Sequence, residues 1–208
     1  MKVLIVYYSL YGHTYRLARA VEKGVASVKG VEAVLRQVEE FDSVRKATGQ
    51  SKHANQLREE TKSIPVCTVD DLRQADGVVF GSPTRYGNMT AQMKQLIDNT
   101  SDLWLKGEME GKPAGVFTST ASTHGGQETT LITMVIPLLH LGMLIVGLPY
   151  SLPGMIHTEG RGGSPYGASV VAGAKGELEP RPEDLALAEA LGKRVAEITV
   201  KVRGGTSK

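Results

Sequence analysis

This chain has a single cysteine, Cys67, among its 208 residues. No intrachain disulfide is possible, and a reducing compartment suits it. Long apolar runs are also missing: no stretch approaches the roughly 18 residues needed to span a bilayer. The apolar run near the start is too short for a secretory signal and lacks a small-residue cleavage site. These absences lead us to expect a cytoplasmic protein with no stable membrane insertion. A dominant charge is lacking too. The 24 Lys and Arg against 22 Asp and Glu leave a formal net charge of +2, and the cations are spread along the chain, which argues against a nucleic-acid partner. The five histidines, His13, His53, His124, His140 and His157, include no pair at metal-ligand spacing, so no metal site is expected. No repeat or linker divides the chain. It reads as one domain over 1–208, with a loose tail from about residue 203 and enough length for a sizeable core.

What is present is alternation. "VLIVYY" from Val3, "GVVFGS" from Gly77, "AGVFTS" from Ala114 and "MLIVGL" from Met143 are apolar on both faces, as strands covered on both sides should be. "VEAVLRQV" from Val31 is a less uniform fifth strand. Between them lie helical stripes: Leu17, Val21, Val25 and Val28; then Met93, Leu96, Ile97, Thr100, Leu103 and Trp104, with Thr90 as a cap. Gln127 to about Leu141 predicts a helix bent or shortened by Pro137 and stopped near Gly142. A last helix starts near Pro182, with Glu183 and Asp184 in its first turn. Its buried side would carry Leu185, Ala188, Leu191, Val195 and Ile198. Five strands alternating with helices predict a doubly wound parallel sheet. Two segments exceed its minimal plan, the polar stretch from Glu39 to about Lys62 and residues 148–173. Loops of that length tend to be functional lids, interface pieces or disorder.

Ligands of such sheets sit at the carboxyl ends of the strands, and three unusual loops fall there. "SLYGHT" joins a strand to a helix whose first-turn amides point into the loop. With the hydroxyls of Ser9 and Thr14 and the close approach allowed by Gly12, it reads either as a phosphate cradle or as an ordinary capped turn. It matches neither the dinucleotide fingerprint nor the Walker pattern. "SPTRYGNM" offers Gly87 for close approach and Tyr86 as a stacking surface. Its bland alternative is a Pro-initiated turn with Arg85 solvated and Tyr86 in the core. "TSTASTHGGQ" is dense in hydroxyl donors. His140 lies in an apolar helix and reads as a core histidine by default. Trp104 continues a helix stripe and also reads as core.

Taken together, "YYSLYGHT", "FGSPTRYGNM", "DNTSDLW", "GGQETT" and "RGGSPYGAS" resemble the WrbA family nearly from end to end. The resemblance implies a flavodoxin-like five-stranded parallel sheet of order 2-1-3-4-5 with helices on both faces, usually assembled as a homotetramer. It implies an FMN-dependent NAD(P)H:quinone oxidoreductase working by two-electron ping-pong hydride transfer, with NADH or NADPH as co-substrate and a quinone as acceptor. Carried over onto this chain, the FMN phosphate falls to Ser9, Leu10, Tyr11, Gly12, His13 and Thr14. The isoalloxazine falls to Thr84, Arg85, Tyr86 and Gly87. The far side of the ring and the ribityl chain fall to Ser119, Thr120, Ala121, Ser122, Thr123, His124 and Gly125. Tyr11 matches a nicotinamide-contacting position and Trp104 an aromatic wall of the substrate pocket. His140 matches a histidine that reaches the flavin from a neighbouring subunit and is the candidate catalytic group. Residues Gly160 to Ala172 match an insertion that interrupts the last strand. The chain departs from the family where "STASTHGGQ" is one residue longer than the common "STGTGGGQ", and where Leu141 follows His140 in place of a second histidine. Two other roles share this cofactor: a flavodoxin-type electron carrier, and an FMN-binding regulatory or interaction protein.

Overall fold

Successive residues of the first strand serve two cores. Val3, Ile5 and Tyr7 pack on one side of the sheet, and Leu4 and Val6 on the other, as the two-residue period of a fully covered strand requires. A computed structural model describes residues 1–156 and 162–204. Its elements run β1 (Lys2–Tyr7), α1 (His13–Ala26), β2 (Glu32–Gln37), α2 (Asp42–Ala47), α3 (Lys52–Thr61), α4 (Val69–Gln74), β3 (Gly77–Pro83), α5 (Ala91–Asp98), α6 (Ser101–Leu105), β4 (Pro113–Thr120), α7 (Gln127–His140), β5 (Leu144–Ile145), β6 (Ala168–Val171) and α8 (Pro182–Gly204). The strands pair in parallel in the order β2-β1-β3-β4-β5, and β6 also pairs with β4. This is the expected 2-1-3-4-5 sheet.

Helices cover both faces. Leu17, Val21 and Val25 of α1 join Leu187, Leu191 and Val195 of α8 in one core. Met93 of α5 and Leu131, Met134 and Leu138 of α7 lie in the other. The two helices of the first layer touch backbone to backbone: a Cβ on Gly24 would collide with the Glu189 carbonyl, and one on Gly192 with that of Val21. No larger residue fits at either position without separating the layer.

Several expectations change. The stripe from Met93 to Trp104 is two helices, because α5 ends at Asp98 and α6 starts at Ser101, with Asn99 and Thr100 as the caps between them. Trp104 is consequently 60% exposed and not core. The run from Met143 gives only the two-residue β5, which pairs with Pro113 and Ala114. The chain then leaves the sheet and returns as β6 beside Phe117 to Thr120, so the last strand is in two pieces. Residues 157–161, which include the start of the expected insertion and His157, lie outside the described residues. Helix α8 continues through Gly204; residues 205–208, the rest of the expected tail, lie outside the described residues. The polar stretch 39–62 folds into α2 and α3. Arg58 Nε and Nη2 grip Glu40 Oε2 and Oε1 at 3.0 and 2.7 Å. Pro137 sits inside α7 without ending it.

Candidate functional site

The carboxyl ends of β1, β3 and β4 open into one cleft of about 460 Å³, a volume ordinary for small-molecule sites. At its base β1 leads into α1 through Gly12, whose φ of 103° is open to glycine and strained for other residues. Gly12 N–H donates to Ser9 Oγ at 3.1 Å, closing the loop and leaving the Ser9 hydroxyl hydrogen free. No side chain caps α1, and no acidic residue lies in its first turn. Its leading amides therefore face the cleft as donors for an anion. Thr14 is buried, with Oγ1 2.9 Å from Ser119 Oγ; this bond ties the first loop to the third.

His13 is also buried, with Nε2 3.0 Å from the Leu178 carbonyl. Burial holds its pKa below the usual histidine value, and the Leu178 hydrogen bond opposes that only in part. As a neutral ring it fastens the segment before α8 rather than supplying charge.

The second loop is a tight hairpin. Arg85 N–H donates to the Asn88 carbonyl at 2.7 Å and Asn88 N–H to that of Arg85 at 3.0 Å. The two central residues, Tyr86 and Gly87, have φ of 54° and 78°, the sign pattern of a type I′ turn. Tyr86 pays the left-handed strain that Gly87 avoids. Its ring is fully exposed, which excludes the core reading. The third loop meets this hairpin at glycine: a Cβ on Gly126 would lie 3.2 Å from Gly87 Cα. Thr84 N–H donates to the Ser119 carbonyl at 2.9 Å, and Thr130 Oγ1 to Thr84 Oγ1 at 2.7 Å.

Of the residues expected to act together, Ser9, Leu10, Tyr11, His13, Thr14, Thr84, Arg85, Ser119, Thr120 and Ala121 line the cleft. Gly12 and Gly87 shape its loops. Thr123 and His124 line a neighbouring cleft with Tyr150 and Ser164, and Ser122 and Gly125 line neither. Trp104 and Tyr86 stand in solvent. His140 is exposed at the far end of α7, and so is not the core histidine that its apolar context suggests. Thirteen residues of helix separate it from Gln127, roughly 20 Å at 1.5 Å per residue. Within one chain it does not reach the cleft.

Two contributions escape the three-loop reading. Ser51 and His53 come from α3, and the Ala172–Gly176 turn brings Lys175. For Ser51 and His53 the sequence signal was excess length, since the 39–62 segment exceeds a minimal sheet; Lys175 lies just past residues 148–173, and no sequence signal singled it out. Among the described residues no carboxylate lines the cleft, whereas Arg85, Lys175 and the two histidines do. Amides, hydroxyls and cations without an acid suit a phosphate-bearing heterocycle such as FMN. Among the described residues, no three of His, Cys, Asp and Glu gather in a metal-holding group.

Comparison with known proteins agrees with this geometry. The model of the NADPH-dependent FMN reductase family matches residues 1–156. An NAD(P)H dehydrogenase (quinone) of Geobacter metallireducens is 51% identical over 98% of this chain and 100% of its own. Its counterpart from Syntrophobacter fumaroxidans is 52% identical over 97% and 98%. A flavodoxin, WrbA-like protein from Agrobacterium tumefaciens superposes with a TM-score of 0.63 at 25% identity, over 96% of this chain and 98% of that one. With its cleft at the ends of β1, β3 and β4, its divided last strand and relatives matched along their whole length, the chain belongs to the WrbA-like NAD(P)H dehydrogenases (quinone) of the FMN reductase family.

Proposed function

We propose that the protein is an FMN-dependent NAD(P)H:quinone oxidoreductase. The observation that carries this is a cleft with no carboxylate among its described lining residues, in which the loop before α1, the hydroxyls of Ser9 and Thr14 and the strained Arg85–Tyr86 hairpin come together. FMN would take a hydride from NAD(P)H and return two electrons to a quinone; the protein contributes position and electrostatics. The amides of the first turn of α1, with Ser9 and Thr14, hold the phosphate. Thr84 and Arg85 meet the ring edge, and Ser119 to Ala121 flank the ribityl chain. Tyr11, 48% exposed at the cleft lip, offers its ring to the nicotinamide. Donor and acceptor would occupy the same slot in turn, as a ping-pong cycle requires. FMN has about thirty heavy atoms, and at roughly 0.3 kcal/mol each its dissociation constant falls below about a micromolar.

The same proposal includes self-association as a homotetramer and a place in the cytoplasm. The first is supported by an exposed apolar face on α7 and β5, the second by the lone buried thiol of Cys67. His140 and Trp104 would then act at the cleft of a neighbouring copy. The test is an anaerobic absorbance titration of the FMN-loaded protein with NADH or NADPH, followed by benzoquinone. Bleaching by the nicotinamide and rapid recovery with quinone is the expected result. Loaded protein that neither nicotinamide bleaches would instead be an electron carrier or a regulatory protein.

A further inference from the structure

The first loop has no lysine, yet an FMN phosphate is close to doubly charged at neutral pH, with its second pKa near about 6. The basic side chains that α1 carries next to the loop are engaged elsewhere. Arg16 Nε pairs with Glu179 at 3.1 Å, and His13 is buried against the Leu178 carbonyl. Helix amides and hydroxyls remain, and they carry only partial charge.

Two further groups reach the same cleft from elements outside the three loops. Helix α3 lies alongside the phosphate loop: a Cβ on Gly12 would stand 3.9 Å from Leu57 Cδ1. The first turn of α3 places His53 on the cleft wall, near enough to His13 to influence its titration. From a separate element, the turn between β6 and α8 brings Lys175 to the same cleft. That turn is braced from below by the same His13, whose Cε1 would be 3.5 Å from a Cβ on Gly176. Among the described residues, neither the His53 ring nor the Lys175 ammonium hydrogen-bonds or ion-pairs with another group. Glu177 is close enough to feel Lys175, but its Oε2 is engaged by the Lys175 backbone N–H at 2.8 Å.

We propose that His53 and Lys175 form a two-sided clamp on the FMN phosphate, assembled from the 39–62 segment and the β6–α8 turn. The clamp supplies the donors and positive charge that the first loop lacks. This rests on the FMN reading above and extends it to two residues outside the three cofactor loops. It also gives a purpose to the polar segment: α2 and α3, held by the Glu40–Arg58 pair, carry one jaw to the cleft.

The test compares FMN with riboflavin, which differs only by the phosphate. Binding is followed by quenching of flavin fluorescence in wild type, His53→Gln, Lys175→Gln, the double variant and Lys175→Arg. Both jaws are exposed, so each single substitution is expected to weaken FMN binding about threefold and the pair about tenfold. Riboflavin affinity should stay unchanged, and Lys175→Arg should bind FMN as wild type does. Raising salt should weaken FMN binding more in wild type than in the double variant. FMN affinity unchanged in the double variant would overturn the clamp, and so would equal losses for FMN and riboflavin. Wild-type protein that does not bind FMN at all would instead remove the cofactor reading on which the clamp stands.

Discussion

Gly12 shows how much of the site rests on one residue. At φ 103° an alanine carries roughly 1–3 kcal/mol of backbone strain, and its Cβ would meet Arg16 Nη1 at 2.7 Å. Arg16 can move aside; the backbone relieves its strain only by turning the loop and re-aiming the amides of α1. Gly12→Ala should therefore weaken FMN binding about tenfold or more in a fluorescence titration, with little change in the unfolding midpoint. Cys67 presents the opposite case, a reactive residue type placed where it cannot react. Burial, with Asp71 adding to it, pushes its thiol up to about 12. At pH 8 roughly one molecule in ten thousand would be thiolate, against about a quarter for a free cysteine. Ellman's reagent should find almost no thiol in the native protein within minutes and one per chain in guanidinium. The sequence already suggested a glycine at position 12 that lets the backbone come close. It did not disclose that His13 would be a buried neutral brace, because that depends on Leu178, 165 residues away.

At the scale of elements, the segment 39–62 owes its shape to one ionic knot. Arg58 binds both oxygens of Glu40 and also Thr48 Oγ1 at 2.6 Å, while Arg45 adds a contact to Glu40 at 3.3 Å. The Arg58 and Glu40 side chains are only 18% and 13% exposed. Removing one partner of a buried pair costs about 3–5 kcal/mol, and residual solvent access lowers that to about 2–3 kcal/mol for Arg58→Met, to be read from urea unfolding. The N-terminus of α8 carries a second test. Burial raises the pKa of Asp184, although the backbone N–H groups of Arg181 and Gly162 pull it down, and among the described residues its Oδ1 has no partner. A carboxyl raised in the folded state stabilises while protonated and loses that contribution as pH rises through its folded value. Asp184→Asn should therefore be more stable than wild type at pH 7, by about 2–4 °C in Tm for each kcal/mol recovered. The advantage should vanish below pH of about 3.9, where the unfolded aspartate is protonated too. Strands and long helices were legible because burial on both faces writes itself into β1, β3 and β4. The division of α5 from α6 was not, since Met93 to Trp104 keeps helical spacing across the break at Asn99 and Thr100. The divided last strand came from the family resemblance and not from a local pattern: among the described residues β5 and β6 meet through β4, and nothing local records a pairing across that gap.

At the scale of the whole molecule, one face is left over. Ile132, Ile136 and Leu139 of α7 are 41, 51 and 58% exposed at spacings of four and three, and Leu144 and Ile145 of β5 are exposed too. A stripe of this kind on a helix that already buries Leu131, Met134 and Leu138 is a second apolar side, and contiguous apolar patches on a protein surface mark association sites. His140 stands at the end of this stripe, roughly 20 Å along the helix from the cleft of its own chain. If it serves a flavin, it serves one in another copy, and assembly and catalysis are then coupled. Ile136→Glu with Leu139→Glu should shift sedimentation from an oligomer to a single chain while leaving the far-ultraviolet spectrum unchanged. His140→Ala in the assembled protein should lower quinone reduction. The two effects should not multiply: in the dissociated variant, His140→Ala should change nothing further, because the histidine has already lost its neighbour. A loss of equal size in both backgrounds would place His140 at its own cleft by some rearrangement of α7. No loss in either would remove it from the reaction.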